Sequence, residues 1–219
     1  MSSPAYRLTV PDFRMGPGDR IGLVGESGAG KSTFLDILAL VRRPDEVTGF
    51  RLMGADLSED LRRGRLDALS RLRARHVGYI LQDGGLLPYL TVRRNAAVAQ
   101  RLAGSQECLK AHALHLGLEF SLDKLPSALS GGQRQRAAVL RGLASGARIL
   151  LADEPTASLD SGNARQTMRL LGELPRDRAI LVCSHQEDLL RETGFRIMRM
   201  TTRMTGPGLI EAELSEAAA

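Results

Sequence analysis

Gly25-Glu26-Ser27-Gly28-Ala29-Gly30-Lys31-Ser32-Thr33 decides the fold of this 219-residue chain. The run fits the phosphate-binding pattern G-x-x-x-x-G-K-[ST] and stands in the context that pattern needs. Ahead of it, Arg20-Ile21-Gly22-Leu23-Val24 is apolar enough for a short buried strand. Behind it, residues 34–40 carry apolar side chains at helical spacing. Between strand and helix, glycines let the backbone curl so that successive N–H groups point inward, and the helix N-terminus adds its positive end. The product is a cradle for a triphosphate. Lys31 is expected against the β- and γ-phosphates, with the Ser32 hydroxyl on Mg²⁺.

Working outward, Tyr6-Arg7-Leu8-Thr9-Val10 alternates like an exposed edge strand, and Pro11 ends it. Val47-Thr48-Gly49-Phe50-Arg51-Leu52-Met53-Gly54 reads as a second short strand, and together the two suggest a small antiparallel sheet beside the core. Residues 58–74 are helical in period, and 77–81 form an apolar strand ending at Gln82. Thr91 can cap a helix running to 101; further helices are expected over 106–116, 131–144 and 161–171. Residues 148–152 and 179–183 are buried strands, and 195–200 forms a last one. Apolar strands alternating with helices imply a parallel sheet covered on both faces, with functional residues at the strand C-termini.

The strand 148–152 ends on Asp153-Glu154. Next to a phosphate loop, such a pair suits Mg²⁺ binding by Asp153 and proton abstraction from water by Glu154. Leu129-Ser130-Gly131-Gly132-Gln133-Arg134-Gln135-Arg136 begins a helix, and its glycines and N-terminal amides make an anion site; alone it would read as a helix cap. His185 closes the third buried strand. Cys108, His112 and His115 share a helical face, but nothing nearby completes a metal set.

With these motifs in order, the chain resembles the ATP-binding cassette (ABC) ATPases over about residues 18–190. The resemblance implies an α/β fold. A P-loop NTPase core would carry a mostly parallel sheet, a small antiparallel β part and an inserted helical part. Residues 1–219 would form a single cassette, with 1–82 and 146–219 as nucleotide-binding core and 83–145 as the helical, signature-bearing part. It also implies that ATP is held by Gly25, Glu26, Ser27, Gly28, Ala29, Gly30, Lys31, Ser32 and Thr33. Ser130, Gly131, Gly132 and Gln133 of a second cassette, itself a copy or a paralogue, would close over that ATP head to tail. Gln82 would sense Mg²⁺ and the attacking water, His185 would bond the γ-phosphate, and Asp160 would connect the two sites. Ser32, Gln82 and Asp153 would be the Mg²⁺ ligands, and Glu154, His185 and Gln82 the catalytic group.

The run Gln-(x)₃-Leu-Leu-Pro-x-Leu-Thr-Val-x-x-Asn over 82–95 is similar to the lipoprotein-release, macrolide-export and cell-division branch. Cassettes of that branch pair with a separate permease, which places the chain at the cytoplasmic face of the cell membrane. The segment 83–95, with Leu86, Leu87 and Tyr89, is the expected permease contact. Thirty residues precede Lys31, fewer than usual, a departure that puts the family's first strand and its adenine-stacking aromatic in doubt; Tyr6 is the nearest, weak candidate for that role, while Phe13 is expected in the core. Gln186 follows His185 where aspartate is common.

Bulk properties exclude other classes. No apolar run is long enough to span a bilayer, the start lacks signal-peptide features, and Cys108 and Cys183 are too few for a disulfide framework. Net charge is +5, almost all of it from arginines interspersed with acids, and aromatics make up 4%. That is a solvated mixed surface, poor in stacking platforms, so nucleic acid is not an expected partner. The alternative within the resemblance, a soluble cassette protein acting on nucleic acid or ribosomes, usually needs two cassettes or a coiled-coil insertion.

Overall fold

The phosphate-loop strand, β2 (Arg20–Gly25), sits in the middle of a seven-stranded sheet, and its first five residues are buried. A computed structural model describes residues 5–206 and 209–216. The strand order is β1-β9-β8-β2-β7-β6-β5, with β1 (Ala5–Thr9), β5 (Val77–Ile80), β6 (Ile149–Asp153), β7 (Ala179–Cys183), β8 (Arg196–Gly206) and β9 (Leu209–Glu216). Every pairing is parallel except β8–β9, an antiparallel hairpin.

Alternation along the central strands shows why both faces are covered. In β6, Leu150 and Ala152 face one core and Leu151 the other; in β7, Ile180 and Val182 oppose Leu181 and Cys183. The first face is closed by α6 (Gly131–Ala144), α7 (Ser161–Gly172) and α8 (Glu187–Glu192). The second is closed by α1 (Lys31–Leu38), α2 (Ser58–Arg63) and α3 (Leu66–His76). The helices α4 (Val92–Ala103) and α5 (Leu109–His115) pack on α6 away from the sheet. Among the described residues no helix is long and apolar enough to cross a membrane.

Several expectations need correction. The strand at Tyr6 does not join an antiparallel sheet with residues 47–54. It pairs in parallel with β9 at the edge of the main sheet, Tyr6 opposite Ile210. The antiparallel part is a two-stranded hairpin, β3 (Arg51–Leu52) with β4 (Ala55–Asp56), turning through Met53 and Gly54 at positive φ. The arginine-rich helix 58–74 is two helices, because Gly64 at φ +62° receives the end of α2 in a left-handed cap. The helix expected over 106–116 is confined to α5, and the last strand runs past 200 into the unforeseen hairpin. Phe13, partly buried, packs against the core, edge-on to Phe34 with ring centroids 5.1 Å apart.

Candidate nucleotide site

Register brings the key residues to one edge of the sheet. Asp153 pairs with Cys183, Leu23 pairs with Cys183 from the other side, and Ile80 pairs with Ala152. The phosphate loop, Gln82, the acidic pair and Ser184-His185 therefore leave neighbouring strands at the same level.

The loop is shaped by its glycines. Gly28 and Gly30 hold φ +79° and +93°. A Cβ on Gly30 would collide with Tyr6 Oη, which donates a hydrogen bond to the Ala29 carbonyl; a Cβ on Gly28 would meet nothing within 4 Å. As N-cap of α1, Gly30 has no side chain to occupy the first amides of the helix, which face the loop. Lys31 is 7% exposed, and its Nζ donates to the carbonyls of Gly25 at 2.8 Å and Glu26 at 2.9 Å. Those bonds take two of its three donors and hold the loop closed around the ammonium.

Asp153 and Glu154 are 5% and 8% exposed. Glu154 holds φ +47°, a left-handed conformation unusual for a side-chain-bearing residue, and it precedes Pro155. Backbone bonds determine it: its N–H donates to the Cys183 carbonyl at 2.9 Å, and its carbonyl accepts from Ala157 N–H at 3.2 Å and Gln135 Nε2 at 3.1 Å. Its Oε1 lies 3.3 Å from His185 Nε2 and is buried without a hydrogen bond among the described residues. Burial pushes the Glu154 carboxyl above the usual range, while His185, by its charge and its backbone N–H, and Lys31 pull it back. A buried carboxylate with an unfilled acceptor oxygen, beside a half-exposed imidazole, can take a proton from water. The donor set also suits a magnesium triphosphate: an anion cradle, an ammonium, a buried carboxylate at Asp153 and the exposed Ser32 hydroxyl. Cys183, buried beside Asp153, has its thiol pushed well up by burial and serves as an apolar packing residue.

The signature residues lie elsewhere. Ser130 caps α6 in a reciprocal box with Gln133: Ser130 Oγ accepts from Gln133 N–H at 3.2 Å, and Gln133 Oε1 accepts from Ser130 N–H at 3.0 Å. A Cβ on Gly132 would sit 3.4 Å from Leu159 Cδ2 and the Ser158 carbonyl, so the signature rests on the Ser158-Leu159 turn. Asp160 caps α7, its Oδ1 accepting from Asn163 N–H at 2.9 Å. Among the described residues no hydrogen bond or ion pair joins Ser130–Gln133 to the phosphate loop of the same chain.

After Gln82 the loop is pinned from below. Asn95 is 1% exposed; its Oδ1 accepts from Leu87 N–H at 2.8 Å, and its Nδ2 reaches the carbonyls of Leu87, Leu90 and Thr91. Leu86 packs against the core, while Tyr89 is 72% exposed at the tip. Of the apolar contact expected here, Tyr89 is therefore the outward residue. Sequence reading gave Asn95, Gln135 and Arg141 no role. Polar side chains on otherwise apolar helical stripes were the available signal.

The fold and site have known counterparts. Residues 8–157 match the ABC transporter family. The lipoprotein-releasing system ATP-binding protein LolD 1 of Rhodospirillum rubrum is 38% identical over 208 residues, 91% of this chain and 87% of that protein. Macrolide export ATP-binding/permease protein MacB 1 of Aeromonas hydrophila is 38% identical over 86% of this chain, which spans only 29% of its length. The dimeric bacterial cassette MJ0796 superposes with a TM-score of 0.75 at 29% identity, covering 86% of this chain and 84% of its own. The same cassette in a post-hydrolysis state with ADP and Pi superposes equally well, at 30% identity. The chain belongs to the ABC transporter family, as an ATP-binding cassette and an ATPase.

Proposed function

We propose that this cassette hydrolyses ATP as half of a head-to-tail pair and drives a separate membrane permease of the lipoprotein-release or macrolide-export kind. The observation that carries the reading is Glu154, buried, left-handed and with an unfilled carboxylate oxygen 3.3 Å from His185, at the strand edge that bears the phosphate loop. The dimeric MJ0796 cassette supports the pairing, and LolD, an ATP-binding protein spanned over 87% of its length, supports a separate permease; the MacB 1 relative names ATP-binding and permease parts in one protein, of which this chain spans 29%.

In this reading the loop amides from Gly25 to Thr33 and the Lys31 ammonium bind the triphosphate, and Lys31 exchanges its two carbonyl partners for phosphate oxygens. Ser32, Gln82 and Asp153 would hold Mg²⁺, which neutralises phosphate charge when bound. Glu154 takes the proton of the attacking water, and His185 holds the carboxylate on one side and the γ-phosphate on the other. Ser130, Gly131, Gly132 and Gln133 act across the pair, where the N-terminal end of α6 completes the partner's site, and Asp160 relays between the two sites. Tyr6 holds the loop from the sheet edge and is the candidate to stack on adenine. Residues 83–145 act as the moving lobe, with the 83–95 loop and Tyr89 on the permease at the cytoplasmic face of the membrane.

The test is Glu154→Gln. It should keep ATP binding, lose turnover, and elute as a dimer with ATP on size-exclusion chromatography. Hydrolysis at the wild-type rate by this variant would overturn the assignment.

A further inference from the structure

Gln135 is a polar residue on an apolar stripe. It is 5% exposed, one turn into α6, ahead of the buried Ala138, Val139 and Gly142 on the same face. Burying an amide there is costly unless it is bonded, and its Nε2 donates to the Glu154 carbonyl at 3.1 Å, in a bond buried at both ends. Glu154 is the residue that holds a left-handed φ immediately before a proline, a conformation that persists only where its surroundings impose it. Its N–H is also held by the Cys183 carbonyl of β7 at 2.9 Å, and its carbonyl accepts from Ala157 N–H at 3.2 Å within the turn. Gln135 supplies a side-chain bond to its backbone from another element.

The same helix also seats the loop after Gln82. A Cβ on Gly84 would lie 3.4 Å from Ala138 Cβ, and the half-buried Arg141 guanidinium donates to the carbonyls of Gly85 and Tyr79. Positions 135, 138, 141 and 142 thus form one face, with the Glu154 backbone at one end and residues 84–85 at the other.

We infer that Gln135 is a positioning residue for hydrolysis: its amide holds the Glu154 turn in the orientation that aims the carboxylate, and α6 ties that aim to the loop that follows Gln82. The inference rests on Glu154 as the proton acceptor. Among the described residues no hydrogen bond or ion pair joins Gln135 to the phosphate loop, so ATP binding should not depend on it.

Gln135→Met keeps length and volume but removes the donor. In the full chain its kcat should fall by on the order of ten- to a hundredfold, the loss typical of a misaimed catalytic group, with KM and the affinity for a fluorescent ATP analogue unchanged. Gln135→Glu is the second variant, the same shape with an acceptor facing the carbonyl, and should fall at least as far. Thermal melts with and without nucleotide confirm folding of each. A Met variant with wild-type turnover, or one whose ATP affinity falls together with kcat, overturns the positioning role. Glu154→Gln, assayed in parallel, separates the two ideas: if it still hydrolyses, the proton-acceptor reading fails first; if it is dead while Gln135→Met is fully active, only the role of Gln135 fails.

Discussion

Gly30 meets two demands at once, a φ of +93° and the approach of Tyr6 Oη to the space where a side chain would begin. Gly30→Ala should therefore weaken nucleotide binding at least tenfold and cost about 1–3 kcal/mol of stability, by titration and thermal melt. Tyr6→Phe, which loses only the hydroxyl, should cost about 1 kcal/mol and leave the strand in place. At Glu154 the pKa is raised, chiefly by burial, so the acid limb of kcat should lie above the 4.5 of an ordinary glutamate. For folding the sign is opposite to that of a salt-bridged acid. The native state favours the protonated form, so this group's contribution is present below its unfolded pKa and is lost as pH rises through the folded one. A rate–pH profile with its acid limb at or below 4.5 would contradict the burial argument.

Between elements, the tie to test is Glu107, in the link from α4 to α5. Its carboxylate is bonded by Arg178, in the turn before β7, and by His112 Nε2 at 3.0 Å, while Gln100 Nε2 donates to its carbonyl at 2.8 Å. Burial pushes the Glu107 carboxyl up, but the bonds from His112 and Arg178 outweigh it and leave the pKa lowered. The stability it provides is thus present above about pH 4.5 and is lost as pH falls through the lowered value. Denaturant midpoints at pH 7 and near pH 3 should converge between wild type and Glu107→Gln at the acid end and differ at the neutral end. Equal midpoints at both would show the cluster to be inert. Of Cys108, His112 and His115, aligned in sequence as a metal-like set, the two histidines have other partners: His112 bonds Glu107, and His115 Nδ1 lies 2.8 Å from the Ala111 carbonyl.

Across the whole molecule, what could be read from sequence was what depends on near neighbours along the chain. The strand–loop–helix at Gly25, the caps at Thr91 and Ser130 and the buried strands at 149–153 and 179–183 all rest on local periodicity and capping chemistry. What escaped was set by distant partners. Tyr6–Val10 alternates like any edge strand, and nothing within it shows that its partner is β9 rather than the hairpin at 51–56. Gly64 breaks an arginine-rich helix that has no apolar stripe strong enough to mark the break. Gln135 and Asn95 stand out only as amides on otherwise apolar stripes, and what they bond does not show until the backbone is in place. Removing residues 209–219 should leave β1 unpaired, so both stability and ATP affinity should fall, the latter through the loss of Tyr6 from the phosphate loop. A truncated chain with native affinity would show the Tyr6 contact to be dispensable.

The β1–β9 pairing also sets an order of events during synthesis. Tyr6 is made roughly 200 residues before the strand that holds it, Leu209–Glu216, an interval of about 10–40 s at ordinary elongation rates. Throughout that interval the phosphate loop can form from its own glycines and α1, but its outer support cannot. The nascent cassette should therefore remain a weak nucleotide binder until its last strand docks, which protects a half-made enzyme from engaging ATP.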